Sequence, residues 1–487
     1  MLKATTLDHL PADVQALRYK RDEVGVGIVH FGVGNFFRAH EAWYVDQCLA
    51  LPGQSGWGIV GVGLNGGSRG AAKAREFQQQ DGLYSLTEVA ADGARTVSII
   101  GALRDYLLAP ADPEAVLRRL ADPETRIVSM TITEGGYNID EQTGDFRLDT
   151  PAVQADLASP RRPATVFGYV VEGLRRRREA GVAPFTVLSC DNLRSNGHIA
   201  HTAFVGYARA LDGELAEWIE ANVTFPCSMV DRITPGVDTA TRKALNAASG
   251  LDDDLPVLAE DFSQWVLEDN FCNGRPALEK AGVQFVDDVA GYEQVKVRML
   301  NASHILLGAL GLGLGYRYAH ETVEDADLER FANAYWTLDA MPQIDAPAGV
   351  DLDAYRQRLL SRFSNRAVAD TLLRICSDGA SKVQVFWTDT VRRSLESGHD
   401  LDRIAFGIAA YLEMLRGHDE RGETYSPIEP TLDADLIALV DADDLAAGLA
   451  LPAFDGWRDM DTTALDAAVV RARRAIRDQG VRASLPR

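Results

Sequence analysis

The sequence predicts an α/β fold: an N-terminal domain doubly wound about a parallel sheet, then a mostly α-helical C-terminal domain. Three observations predict it. Short, continuously apolar runs alternate with helix-like stretches up to about residue 288, the pattern of a parallel sheet covered on both faces. A glycine turn follows the first of these runs. Beyond residue 288 the strand signals fade and long helical patterns take over. The chain has 487 residues, and single cores stop growing near about 250–300 residues. Two domains are therefore expected, over residues 1–288 and 289–487.

Taken in order, "GIVHFGVG" (27–34) reads as a strand entering a glycine turn, and "NFFRAHEAWYVDQCLA" (35–50) as one helix. "WGIVGVGL" (57–64) is the second strand, with further β-branched runs at "RIVSMTIT" (126–133) and "FTVLSCDN" (185–192). Downstream, "LERFANAYWTL" (328–338) and "DAAVVRARRAIRDQG" (466–480) carry helical periodicity.

Charge narrows the function classes. A formal net charge of −22 argues against nucleic acid or anionic membrane as a partner, since both require basic patches. The five cysteines are scattered and form no C-x-x-C, which suits a reducing cytoplasm. The N-terminal stretch lacks the apolar segment of a signal peptide. The longest apolar run, Ile305–Gly315, is too short to span a bilayer. A cytoplasmic protein is expected, acting on a small molecule as a monomer or small homo-oligomer.

Several stretches carry chemistry. In "FGVGNFFRAH" (31–40), Gly32 suits a tight turn and Gly34 suits close approach of a pyrophosphate to the following helix, with Asn35 and Phe36 beside it. Phe37 stands where a third glycine of a dinucleotide fingerprint is usual. Asn192 lies beyond the carboxyl end of a strand, where ligands of open α/β sheets sit; a capping or turn role is the alternative. "HIAH" (198–201) has metal-ligand spacing but no third ligand nearby. Asp231 adjoins Arg232 among apolar residues, as a structural ion pair or a wall of a site. Arg374 and Lys382 flank a Ser-Asp-Gly turn and suit either a surface loop or the binding of hydroxyls.

The densest cluster is "KVRMLNASH" (296–304). At about 100° per residue, Lys296, Asn301 and His304 project within an arc of about 140° on one helix face. Glu293 falls on that face one turn earlier, beside Val297 and Leu300. A lysine on an apolar face is costly unless it is used, because desolvation disfavours its charged form.

Together "GVGNFFRAH", "TITEGGY", "FTVLSCDN", "FPCSMVDRITP", "QWVLEDNFCNGRP", "KVRMLNASH" and "RICSDGASK" resemble, in order, the polyol-specific long-chain dehydrogenases, the mannitol 2-dehydrogenase family. The resemblance implies a Rossmann-type N-terminal domain, a helical C-terminal domain and zinc-independent hydride transfer with NAD. It implies Lys296 as general base, Asn192 and Asn301 as oxyanion donors, His304 as a substrate ligand, and Arg374 and Lys382 near substrate; Asp231, read as a wall of the site, is expected to bind substrate beside them. Glu293 is expected to relay the proton to solvent. A free lysine titrates near about 10.4, and burial beside a cationic nicotinamide lowers that by roughly 2–3 pH units into the range of a useful base. One departure concerns the cofactor. After the second strand stands "LNGGSRG" (64–70), with no carboxylate for a ribose hydroxyl. Ser68 and Arg69 suit a 2′-phosphate instead, so NADP is admitted beside NAD. D-mannitol/D-fructose is the expected pair; D-arabinitol, sorbitol and the hexuronates fructuronate and tagaturonate are the alternatives. A nicotinamide-sensing regulator without turnover is the reading from another class.

Overall fold

A computed structural model describes residues 1–140 and 143–486. The chain divides into two compact units: Met1–Ala90 with Ala94–Ala290, and Gly291–Arg487 with Ala91–Gly93.

In the first unit, five strands form one wholly parallel sheet: β1 (Val26–Phe31), β2 (Gly58–Gly63), β3 (Leu103–Leu108), β4 (Ile127–Met130) and β5 (Thr186–Ser189). Their order is β3-β2-β1-β4-β5. The direction of winding reverses between β1 and β4, the place where open α/β sheets bind ligands beyond the strand ends. Ile28, Ile59, Ile127 and Leu188 enter one hydrophobic core, while Val29, Val62, Val128 and Val187 enter another. Both faces are thus covered, which is why these strands read as unbroken apolar runs.

Two smaller sheets complete this unit. The antiparallel hairpin Tyr84–Val89/Arg95–Ile100 pairs with Val257–Glu260 on one side and Val14–Gln15 on the other. Ser228–Asp231, Gln264–Glu268 and Gln284–Val286 form the other.

The stretch expected as one helix over 35–50 is broken at His40 into Asn35–Ala39 and Glu41–Leu49, with φ −118° and ψ −92° at the break. The His40 ring stacks on Phe36 at 4.9 Å, and its Nε2 lies 3.0 Å from the Gln264 carbonyl oxygen. Tertiary contacts hold a kink that local propensity does not announce.

The named elements from Gly291 onward are helical. At the centre lies Ala302–Gly313, apolar apart from Ser303 and His304 and largely buried, packed by Leu372–Ile375, Gly379–Ser397 and Asp402–Met414. The close approach depends on Gly308, where a Cβ would meet Cys376 Sγ at 2.5 Å. Among the described residues no helix is long and apolar enough to cross a membrane.

Candidate functional site

The first unit builds a nucleotide-type turn at the end of β1. Gly32 has φ +95°, and a Cβ there would lie 2.0 Å from the Thr131 carbonyl oxygen, so only glycine fits. At Gly34, by contrast, a Cβ would meet nothing nearer than the Gly32 carbonyl oxygen at 3.8 Å. The backbone there is open to a ligand, which fits a dinucleotide's pyrophosphate. Asn35 accepts from Arg38 Nη2 at 2.6 Å and donates to the Pro235 carbonyl at 3.3 Å. Phe36 stacks on His40, and Phe37 fills the place of the third glycine by stacking on His30 at 3.6 Å.

Lys73, which sequence reasoning missed, reaches back from the helix after β2 to donate to the Val33 carbonyl between the two glycines. Burial pushes its ammonium down to about 8. No short-range pattern marks it, because its partner lies 40 residues away.

Ser68 and Arg69 are exposed in the first turn of the Gly67–Gln79 helix, which carries no acidic side chain there and no side-chain cap. No hydrogen bond or ion pair of Arg69 exists among the described residues. A cation at a helix N-terminus opposes the helix dipole, so an anion beside it satisfies both.

Beyond β5, Asn192 is exposed and its neighbour Asp191 is buried. Asp191 accepts from the backbone N–H of Ile132 and Thr133, each at 2.9 Å, and from Tyr137 Oη at 2.8 Å. Burial raises its carboxyl above the ordinary value against the pull of these donors. The latch holds Thr133 at φ +68° and ψ 164°, a costly conformation for a β-branched residue. Asn196 ties the same loop to the strand that ends in Asp231, donating to the Ser228 carbonyl at 2.8 Å and accepting from its N–H at 2.9 Å. Asp231 is buried. The ion pair of Arg232 is made with Glu88 rather than with Asp231, and its guanidinium also donates to the Ala39 and Glu260 carbonyls. Of the "HIAH" pair, His201 meets the Phe225 ring edge-on at 5.2 Å. No group of three or more potential metal ligands occurs among the described residues.

In the second unit, Lys296–Asn301 winds as a π-turn between the Ala290–Val295 and Ala302–Gly313 helices. This corrects the arc computed for a regular helix. Hydrogen bonding from i to i+5 sets Asn301 about one turn above Lys296, and His304 follows one α-helical turn later on the same side.

The turn is braced by groups from elsewhere: Trp336 Nε1 donates to the Met299 carbonyl at 2.9 Å, Tyr335 Oη to that of Arg298 at 3.2 Å and Trp387 Nε1 to that of Ala302 at 3.1 Å. Arg298 donates to Thr390 Oγ1 and the Gln343 carbonyl.

Lys296, Asn301 and Glu293 are all buried, at 8%, 8% and 7% exposure. Asn301 Oδ1 has no hydrogen-bond partner among the described residues, which leaves a buried acceptor for a ligand's hydroxyl hydrogen. His304 stacks on Phe363 at 4.3 Å, which fixes its ring plane.

Arg374 and Lys382 converge on the same short segment. Arg374 is half exposed and held by Asp370 through Nε to Oδ1 at 2.6 Å, while Lys382 Nζ donates to the Ile375 carbonyl at 2.8 Å. Asp370, like Lys73 and Asp191, is a residue that sequence reasoning did not single out.

Comparison with known proteins agrees with this architecture. The profile of the mannitol dehydrogenase Rossmann domain matches residues 26–280, and that of the mannitol dehydrogenase C-terminal domain matches residues 288–472. A polyol:NADP oxidoreductase of Gluconobacter oxydans is 61% identical over 486 residues, covering 100% of both chains. A crystal structure of D-sorbitol dehydrogenase in substrate-free form is similar at 60% identity and TM-score 0.93, with 100% of each chain covered. The Pseudomonas fluorescens mannitol 2-dehydrogenase ternary complex with NAD and D-mannitol is similar at 42% identity and TM-score 0.91, covering 99% of this chain and 98% of that one. The two profiles, the parallel sheet and the lysine-bearing π-turn lead to one conclusion: this chain belongs to the mannitol dehydrogenase family of polyol oxidoreductases.

Proposed function

We propose that the protein interconverts a hexitol and its ketose with a nicotinamide dinucleotide, using Lys296 as general base. The observation that carries this reading is the burial of Lys296 in a π-turn it shares with Asn301, on an otherwise apolar helical stretch. The nicotinamide, when bound, accepts or returns the hydride. Lys296 removes the hydroxyl proton as the carbon–hydrogen bond breaks. The amide of Asn301 donates to the oxygen as negative charge grows, a contribution of about 2–4 kcal/mol by analogy with oxyanion holes. Asn192 keeps the role of second amide donor that the family motif assigns to it. His304, its ring fixed by Phe363, orients a substrate hydroxyl, and Glu293 passes the proton onward. Asp231, Arg374 and Lys382 bind the remaining hydroxyls, with Asp370 holding Arg374.

Gly32, Gly34, Asn35 and Phe36 support the dinucleotide. The open backbone at Gly34 suits a dinucleotide, and Arg69, without a partner among the described residues, favours a site that takes NADP as well as NAD. The relatives at 60% and 61% identity bear the names D-sorbitol dehydrogenase and polyol:NADP oxidoreductase. D-sorbitol therefore stands beside D-mannitol as the substrate to test first. The test is a panel of hexitols, pentitols and ketouronates, each with NAD and NADP, read by nicotinamide absorbance. Turnover of a hexitol as the best substrate is expected. Preference for a ketouronate would overturn the substrate class, and no turnover of any would favour a cofactor-sensing protein.

A further inference from the structure

Directly beneath the glycine turn lies a buried polar chain that the proposed chemistry does not use. His30 and Glu41 are 0% and 1% exposed. Glu41 Oε2 stands 3.0 Å from His30 Nδ1, and Ser129 Oγ lies 2.8 Å from the same nitrogen. The other ring nitrogen, Nε2, lies 3.0 Å from Thr131 Oγ1, and that hydroxyl donates to the Gly32 carbonyl at 2.6 Å. Phe37 stacks on the imidazole and closes it in.

Counting hydrogens fixes the direction of this chain. A carbonyl oxygen only accepts, so the single hydrogen of the Thr131 hydroxyl is committed to Gly32. Thr131 Oγ1 then has only lone pairs to offer His30, and Nε2 must be the donor. The result is one directed relay, from His30 Nε2–H to Thr131 Oγ1–H to the carbonyl of Gly32. It spans the ends of β1 and β4, the two strands that flank the switch point, and grips the one residue whose φ of +95° forms the turn. The carbonyl of Gly32 also accepts the N–H of Gly34 at 2.7 Å, so the relay sets the orientation of the peptide next to the open face.

We propose that His30 and Thr131 are positioning residues for the dinucleotide: through this relay they hold the Gly32–Gly34 backbone in its binding conformation before the cofactor arrives. With the ring hydrogen on Nε2, Nδ1 accepts from the Ser129 hydroxyl one step further back, while Glu41 Oε2, near the same nitrogen, has no hydrogen-bond partner among the described residues. The proposal rests on reading the glycine turn as the dinucleotide site.

The test uses the full-length protein with Thr131→Val, which keeps the shape and deletes the hydroxyl, and Thr131→Ser, which restores it. Dissociation constants for NAD⁺ and NADP⁺ are measured by calorimetry. In parallel, the imidazole N–H signals of ¹⁵N-histidine-labelled protein without cofactor are recorded, with His30→Gln to assign them. Thr131→Val is expected to weaken both cofactors by about five- to tenfold, the worth of one buried hydrogen bond, with Thr131→Ser close to wild type. The His30 ring is expected to carry its hydrogen on Nε2 and to lose that signal's protection in Thr131→Val. Unchanged affinity in Thr131→Val, or a His30 ring with no hydrogen on Nε2, would overturn the proposal. Wild-type protein that binds neither dinucleotide would overturn the reading of the turn and the proposal with it.

Discussion

Asp191→Asn is the substitution whose consequence the structure specifies most fully. The side chain keeps its shape, but one of the two oxygens becomes an NH2. The carboxylate accepts three hydrogen bonds, two of them backbone N–H groups on separate oxygens. An amide accepts on one oxygen only, so Ile132 or Thr133 loses its acceptor and faces a donor. Loss of one charge-assisted bond is worth about 1.5–3 kcal/mol. The segment it holds is already strained at Thr133, by about 1–3 kcal/mol. Thr131 and Tyr137 keep their own bonds to the Phe31 carbonyl and Ser189 Oγ at the two ends of the segment, so the loss falls on local opening around Ile132 and Thr133. A change of about 2 kcal/mol corresponds to roughly 30-fold faster amide exchange where opening is in equilibrium. Hydrogen exchange followed by peptide mass spectrometry reads this directly, with the peptide covering 131–137 compared between the two proteins. Protection in β2 and in the second unit is expected to stay at the wild-type level. Unchanged exchange in the 131–137 peptide would refute the latch and the strain argument together.

Three further outcomes follow from the same geometry. Wild-type kcat/KM is expected to differ between NAD and NADP by less than roughly 150-fold, and Ser68→Asp to move the ratio toward NAD through repulsion of a 2′-phosphate; discrimination above about a thousandfold in wild type would place the selectivity elsewhere. Glu429 accepts from the N–H groups of Gly379 and Ala380 at the start of the helix bearing Lys382, and burial pushes its carboxyl from 4.5 up to about 7. The folded state therefore holds a proton between those values that the unfolded state has released, so its stability falls as pH rises across that window. Relative to wild type, Glu429→Gln should gain about 3 kcal/mol on going from the acid to the alkaline side, read by denaturant unfolding at each pH; a constant difference would remove Glu429 as the cause. Glu293→Ala is expected to slow steady-state turnover while a single-turnover hydride transfer survives, and equal rates in both assays would reduce Glu293 to a helix-terminus carboxylate.

The parallel sheet was legible because its strands are buried on both faces and so are spelled as continuous apolar runs, such as that of β1. The hairpin Tyr84–Val89/Arg95–Ile100 was not, since charged and hydroxyl residues interrupt both of its strands. For the site, Lys296, Asn301 and His304 were visible as polar side chains on an apolar stretch. Their mutual placement was not, because counting angles presumes a regular helix. The π-turn is set by Tyr335, Trp336 and Trp387, donors 37, 37 and 85 residues away from the carbonyls they take. Lys73, Thr131, Asp191 and Asp370 escaped for a related reason. Each acts through a partner chosen by the fold, and an isolated lysine, threonine or aspartate carries no spacing that marks it. The broken helix at His40 shows the converse, a local helical pattern overruled by contacts with Phe36 and Gln264.

The central claim is that the buried amine of Lys296 removes the substrate proton, and its most direct test is kcat of Lys296→Ala at saturating cofactor and hexitol, with cofactor affinity measured on the same preparation. The account predicts cofactor binding close to wild type and kcat below about a tenth of the wild-type value at neutral pH. A variant that binds cofactor normally and retains more than about a tenth of kcat would contradict the assignment of the base.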